Sequence, residues 1–113
     1  MIDNERLHAY MNNGKPEYVI CAAIWVKDGK QRKFQPYNIP SGTVFCGWRH
    51  PCIIAQLSAY GIAFKNRSEQ GFLTSKNRFL NRDEAADLIR SNGQEMVTDR
   101  DNIRGWLFSE DLY

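Results

Sequence analysis

Apolar and polar positions alternate along this chain with two distinct periods. Residues 18 to 26, Tyr18-Val19-Ile20-Cys21-Ala22-Ala23-Ile24-Trp25-Val26, are nearly all apolar and rich in β-branched and aromatic side chains. That run predicts a strand buried on both faces. Asp28-Gly29 follows, and both residues tolerate the positive φ of a type I′ turn. Lys30 to Phe34 is therefore expected to return as the second strand of a hairpin, its charges facing water along an edge. Gln70 to Thr74 predicts another strand, Ser75-Lys76-Asn77 a turn, and Arg78-Phe79-Leu80 the returning strand. Thr43 to Phe45 can add a short strand, and Trp106-Leu107-Phe108 a last one.

Helical spacing occurs three times. In residues 3 to 12, Asp3 can cap a short helix whose Leu7, Tyr10 and Met11 share a face, and Asn12-Asn13-Gly14 with Pro16 ends it. Pro51 suits the first turn of a second helix, from about 51 to 60, with Ile53, Ile54, Leu57 and Tyr60 on one side and Gly61 as its stop. Asn81 is the N-cap of the third. Asp83 and Glu84 fill its first turn as a capping-box variant, Ala85, Ala86, Leu88 and Ile89 form the apolar stripe, and Gly93 is the C′ residue. Residues 36 to 42 and 94 to 105 read as loops. The expected fold is a small α+β domain, a mainly antiparallel sheet of hairpins packed with two or three short helices. One domain spans 1–113, with 1–17 as an accessory helix and 18–113 as the core.

Composition narrows the function classes. With 113 residues, a second core is not expected. The net charge of +2, from 15 basic and 13 acidic residues, falls short of the strongly basic balance of a duplex-DNA binder, so nucleic acid is not the expected partner. Three cysteines, Cys21, Cys46 and Cys52, make a poor disulfide framework and favour a reducing compartment. No apolar run reaches the roughly 20 residues of a membrane span, and residues 1 to 5 lack the pattern of a signal peptide. A cytoplasmic protein without a membrane role is the expectation.

Candidate chemistry is sparse. Cys46, His50 and Cys52 could offer zinc three ligands, but a fourth is missing, so the cysteines are read as buried or incidental and no metal or cofactor is expected. Arg49 and His50 flank a helix N-terminus, where free N–H groups and the dipole favour an anion; the equal alternative is that both are solvated, or that His50 caps the helix through a local hydrogen bond. Around the predicted 70–80 hairpin, Phe72 and Phe79 could stack a base, Thr74 and Asn77 read its polar edge, and Arg78 pair with phosphate. The plainer alternative places both phenylalanines in the core. Lys27, Lys30, Arg32 and Lys33 form a basic run that usually means a solvated face. The phosphate-loop, HExxH, GxSxG and dinucleotide motifs are absent, and the pattern leans against catalysis.

The blocks Gln70-Gly71-Phe72-Leu73-Thr74-Ser75, Arg78 to Ala85, Gly93-Gln94 and Leu107 to Tyr113, with Ala22-Ala23-Ile24 and Trp48-Arg49-His50, resemble a family of small proteins of bacteriophages and prophages. Over about residues 18 to 113 the chain is similar to the phage anti-Thoeris sponge proteins, which sequester cyclic ADP-ribose signals and in some cases cyclic oligonucleotides (an anti-CBASS-like activity). That resemblance implies a homo-oligomeric counter-defence protein of the host cytoplasm that holds its signal without cleaving it. Chemistry then nominates Arg49, His50, Phe72, Thr74, Asn77, Arg78 and Arg82 as ligand-binding residues, with the phosphates falling to Arg49, Arg78 or Arg82. The rival classes are a protein-binding inhibitor of a host factor and a small phosphodiesterase acting on the same signals.

Overall fold

A computed structural model describes residues 16–97 and 107–113, to which every structural statement below refers. Strands β1 (Val19–Val26), β2 (Thr43–Gly47), β3 (Ser68–Thr74) and β4 (Phe79–Asn81) form one antiparallel sheet in the order β2-β1-β3-β4. Helices α1 (His50–Ala59), α2 (Arg82–Asn92) and the single turn α3 (Ser109–Leu112) complete the fold. The expected α+β class with an antiparallel sheet is therefore what forms. The expected helix over residues 3 to 12 lies outside the described residues, as does Trp106.

The apolar β1 run takes the centre of the sheet because it alone has apolar residues to spare for both faces. Ala22 lies opposite Phe72, which lies opposite Leu80, so these three share a face. On that face α1 packs Ile53 and Leu57 against Ala22, Ile24 and Val26. Beside it, α2 packs Ala85, Ala86 and Ile89 against Val19, Phe72 and Leu80, with Leu107 closing the cluster. Ala23, Trp25 and Phe79 line the opposite face. Trp25 and Phe79 meet edge-on, with ring centroids 5.8 Å apart. The 34–42 segment crosses this side, where Ser41 accepts a bond from Trp25 Nε1 at 2.9 Å.

Gly71 lets the two layers close. A Cβ there would collide with the Leu80 carbonyl oxygen and stand 2.7 Å from Cζ of Phe79. Both main helices end as their sequences ask. Asn81 and Glu84 form a complete capping box at the start of α2, and Gly93 closes it in the left-handed region at φ 73°. After α1, Ile62 N–H reaches back to Leu57 O and Gly61 N–H to Ser58 O, the pair of bonds of a Schellman motif.

Two expected strands do not form. Lys30 to Phe34 is irregular, and β1 instead turns back through residues 27–42 to pair with β2. Gly29 has the positive φ of a type I′ turn, but Asp28 is not among the residues that do. The Asp28 carboxylate accepts the Lys30 N–H at 2.9 Å, and that local bond turns the chain away from the ladder. Leu107 and Phe108 also lie outside the sheet. Leu107 is fully buried against α2, its N–H donating to the Arg82 carbonyl at 3.1 Å.

Side-chain amides serve backbone groups that the ladder leaves over. Asn38 exchanges two bonds with Phe79 of β4, donating to its carbonyl at 2.7 Å and accepting its N–H at 2.8 Å. Gln94 does the same for Val19, at 2.9 and 2.8 Å. Gln35 accepts the Val44 N–H of β2 at 2.7 Å. The Asn38 and Gln94 amides each supply one donor and one acceptor, the pairing that a neighbouring strand would supply.

Candidate functional site

The seven nominated residues divide into two groups. Arg49, His50, Phe72 and Arg82 gather where α1, β3 and α2 meet the C-terminal segment. Thr74, Asn77 and Arg78 sit on the β3–β4 turn.

His50, the first residue of α1, is buried at 3% exposure. Its Nε2 stands 2.7 Å from the Gly71 carbonyl oxygen and its Nδ1 3.3 Å from Ser109 Oγ. A carbonyl can only accept, so Nε2 carries the hydrogen and Nδ1 accepts from the serine hydroxyl. Burial pushes the imidazole pKa down, and the Gly71 carbonyl pulls it up by less; the Arg82 charge adds to the lowering. The ring stands edge-on to Phe72, 5.2 Å between centroids. Phe72 is itself at 0% exposure, a core residue with no face to offer a base.

Arg82 begins α2 and reaches back over the same region. It donates to the Leu107 carbonyl at 2.8 Å and to Gln70 Oε1 at 2.6 Å, and its guanidinium lies 4.4 Å from the Phe108 ring centroid. Burial lowers its pKa, while Glu110 and Asp111 act in the opposite sense. Arg49 stacks on Trp48 at 4.3 Å and donates to the Tyr113 carbonyl, while the Tyr113 hydroxyl donates to the Trp48 carbonyl. These four residues thus fasten the C-terminal segment to the body of the fold.

On the β3–β4 turn, Arg78 forms a two-pronged ion pair with Glu17, Nε and Nη2 each 2.7 Å from a carboxylate oxygen. Thr74 is buried and donates to the same carboxylate at 2.6 Å. Its hydroxyl oxygen also accepts the backbone N–H groups of Lys76 and Arg78, which makes it the turn's internal brace. Asn77 occupies the left-handed region at φ 56° and donates to the Gln35 carbonyl at 3.4 Å. Burial opposes the Glu17 charge, but the bonds from Arg78 and Thr74 win and hold its pKa below the usual carboxylate range. Glu17 had no signal in the local pattern, since its partner is 61 positions away.

Cys46, His50 and Cys52 do not assemble into a zinc trio. Among the described residues no three or more His, Cys, Asp or Glu side chains form a group able to hold a metal, and both His50 nitrogens are engaged internally. Cys21 and Cys46 do meet. Cys46 lies opposite Ala23 in the β1–β2 register, which puts it diagonal to Cys21 on the same sheet face. The thiol of Cys46 hydrogen-bonds to Cys21 and brings its pKa down to about 7 against the effect of burial, with help from the Gly47 N–H. Cys46 itself is pushed up by the same contact.

A larger concave surface lies elsewhere. Between the end of α1 and the start of β3, Ser58, Ile62, Phe64, Lys65, Asn66 and Arg67 border an open cleft of about 610 Å³. Lys65, Asn66 and Arg67 are exposed, and Phe64 is half-buried beneath them. Sequence reasoning passed over this loop. Its only local signal is two cations flanking an amide, just after a glycine-stopped helix.

No helix among the described residues is long and apolar enough to cross a membrane. No curated protein and no solved structure matches the chain. A family model described as Phage T4 y16D protein matches residues 18–113. The expectation of a small phage protein family holds at that level: the chain belongs to the phage T4 y16D protein family.

Proposed function

We propose that this phage-family protein acts in the host cytoplasm by binding and holding a cyclic nucleotide signal, a cyclic ADP-ribose isomer or a cyclic oligonucleotide, in the cleft between α1 and β3. The observation that carries the reading is the cleft itself. Its volume of about 610 Å³ falls within the range of roughly 300–1,000 Å³ common for small-ligand sites. Lys65 and Arg67 supply positive charge for phosphates, Asn66 supplies an amide for a base or ribose edge, and Phe64 and Ile62 supply the apolar floor. The resemblance to sponge proteins supports the same class of ligand. The nominated arginines do not furnish this site, because Arg78 is committed to Glu17, Arg82 to Leu107 and Gln70, and Arg49 to Tyr113. Burial of His50 and Ser109 supports holding over hydrolysis, since neither side chain opens on the cleft. The cleft is open to solvent.

The test is a thermal-shift panel of cyclic ADP-ribose isomers, cyclic dinucleotides and cyclic trinucleotides, with wild type and the Lys65→Glu, Arg67→Glu double variant side by side. Ligand at a hundred times its Kd stabilises by about 2.7 kcal/mol, a rise of several degrees for a domain of this size. A rise in wild type that the double variant loses is the expected result. A rise that the double variant keeps moves the ligand out of this cleft, and a silent panel sinks the reading. A protein-binding inhibitor is then the better account. Trp48, 59% exposed and in contact with Arg49 and Tyr113, favours that second reading, because these residue types dominate binding hot spots. Capture of one host protein that Trp48→Ala releases would establish it.

A further inference from the structure

The loop between β1 and β2 carries the most exposed large apolar side chain among the described residues. Phe34 is 87% exposed, and its backbone sits at φ 62°, in the left-handed region that bulky residues rarely enter. A ring in the core would repay such strain by burial, and this one does not. Strain of this kind persists only where the surroundings enforce it, and it gathers at functional positions.

The surroundings do enforce it. Before Phe34, Gln31 donates to the Pro40 carbonyl at 2.7 Å and Arg32 Nε to Thr43 Oγ1 at 2.6 Å. After it, the Gln35 side chain accepts the Val44 N–H at 2.7 Å and the Gln35 carbonyl accepts from Asn77. Both flanks are therefore tied to the fold, and the ring is presented outward from a fixed base. Lys30, Arg32 and Lys33 precede it, all exposed. The bonds of Asn77 to Gln35 and Tyr37 bring the β3–β4 turn, with Lys76, alongside.

We propose that this tip binds single-stranded nucleic acid, with Phe34 as the platform for one base and Lys30, Lys33 and Lys76 as contacts to the phosphates. An exposed aromatic ring on a loop that also carries exposed cations matches a polymer that offers a flat π-face and a negative charge at every residue. A duplex hides its base faces and offers only charge. A bilayer would take the cations, but a membrane anchor gains nothing from a fixed backbone, whereas a stacking platform loses less freedom on binding when it is pre-set. The inference does not rest on the cyclic-nucleotide reading, and it uses different residues.

The experiment is fluorescence anisotropy of a labelled single-stranded oligothymidylate titrated with the full chain at low salt. Saturable binding that weakens as salt rises is expected. Phe34→Ala lowers the affinity roughly tenfold, Phe34→Trp keeps it, and Phe34→Leu behaves like alanine, because leucine is apolar but cannot stack. At 87% exposure the side chain has no part in the core, so these variants fold. Lys30→Glu with Lys33→Glu weakens binding and flattens its salt dependence. The proposal is overturned if wild type does not bind, if Phe34→Leu binds as tightly as wild type, or if a duplex of matching length competes equally. It is also overturned if anionic vesicles bind the chain and the oligonucleotide does not displace them.

Discussion

Glu17 and Arg78 stand 61 positions apart and meet through two bonds of 2.7 Å, one from each prong of the guanidinium to each carboxylate oxygen. The carboxylate is the more enclosed partner, with 13% of its side chain exposed against 35% for the arginine. Together with Thr74 it ties the start of β1 to the β3–β4 turn.

Removing the arginine should therefore act on stability. Arg78→Ala leaves a half-enclosed carboxylate unpaired and should cost about 1–2 kcal/mol in urea unfolding, solvent screening included. Arg78→Lys should recover only part of that, since an ammonium cannot make both bonds. A loss below about 0.5 kcal/mol in Arg78→Ala would show the pair to be incidental. A ligand-binding test built on this arginine would first measure a weakened fold.

Three carriers of pH dependence separate by window: Cys21, whose share is lost as pH falls through about 7, then His50, then Glu17. Burial lowers the His50 pKa, so the unfolded chain takes up that proton first, near pH 6.5. Stability from the neutral imidazole is full above that value and drains as pH falls towards the lowered folded value. Glu17 is also lowered, so its share is full above the usual carboxylate value and is lost only at more acid pH. Urea midpoints should fall between pH 7.5 and 5.5 in wild type. The fall should shrink in His50→Gln; an equal fall in both proteins would remove His50 from the account.

Gly71→Ala should be among the most damaging single changes. The added methyl has backbone on one side and the Phe79 ring on the other, so nothing flexible can yield. A loss of about 3 kcal/mol or more is expected, or failure to accumulate folded protein. A soluble variant with an unchanged melting midpoint would contradict the packing described here.

Cys21 should be the first thiol to react. Its pKa of about 7 leaves a substantial thiolate fraction at neutral pH, while Cys46 stays protonated although more exposed. Brief iodoacetamide treatment followed by peptide mapping should find Cys21 modified ahead of Cys46. Cys46→Ser should alter the Cys21 rate, because the neighbouring thiol is the main cause of its shift. Faster labelling of Cys46 would reverse the assignment.

Much of the fold was legible because its signals are local. The α2 capping box needs only Asn81 and Glu84, three residues apart, and the β3–β4 turn needs only the residues around Asn77. The partner of β1 was misread, since a plausible Asp-Gly turn stood next to a run whose one apolar residue, Phe34, stays exposed, and the true partner lay beyond a long connection. The nominated site fared differently. Chemistry identified residues able to meet a nucleotide, but Phe72 went to the core and the arginines to Glu17, Leu107 and Tyr113. Those partners are distant in sequence, and no spacing rule reaches them. The cleft residues Lys65, Asn66 and Arg67 lacked a periodic pattern altogether.

The amides of Asn38 and Gln35 bear on how this protein can meet copies of itself. Each occupies backbone groups on an outer strand, β4 or β2, that an incoming strand would need. Growth of the sheet from one subunit into the next would have to evict these side chains and leave their own polar groups to find other partners. At those positions the route to runaway fibre-like stacking is obstructed by two uncharged residues. Any assembly of this chain that respects them joins through helices, loops or the faces of the sheet.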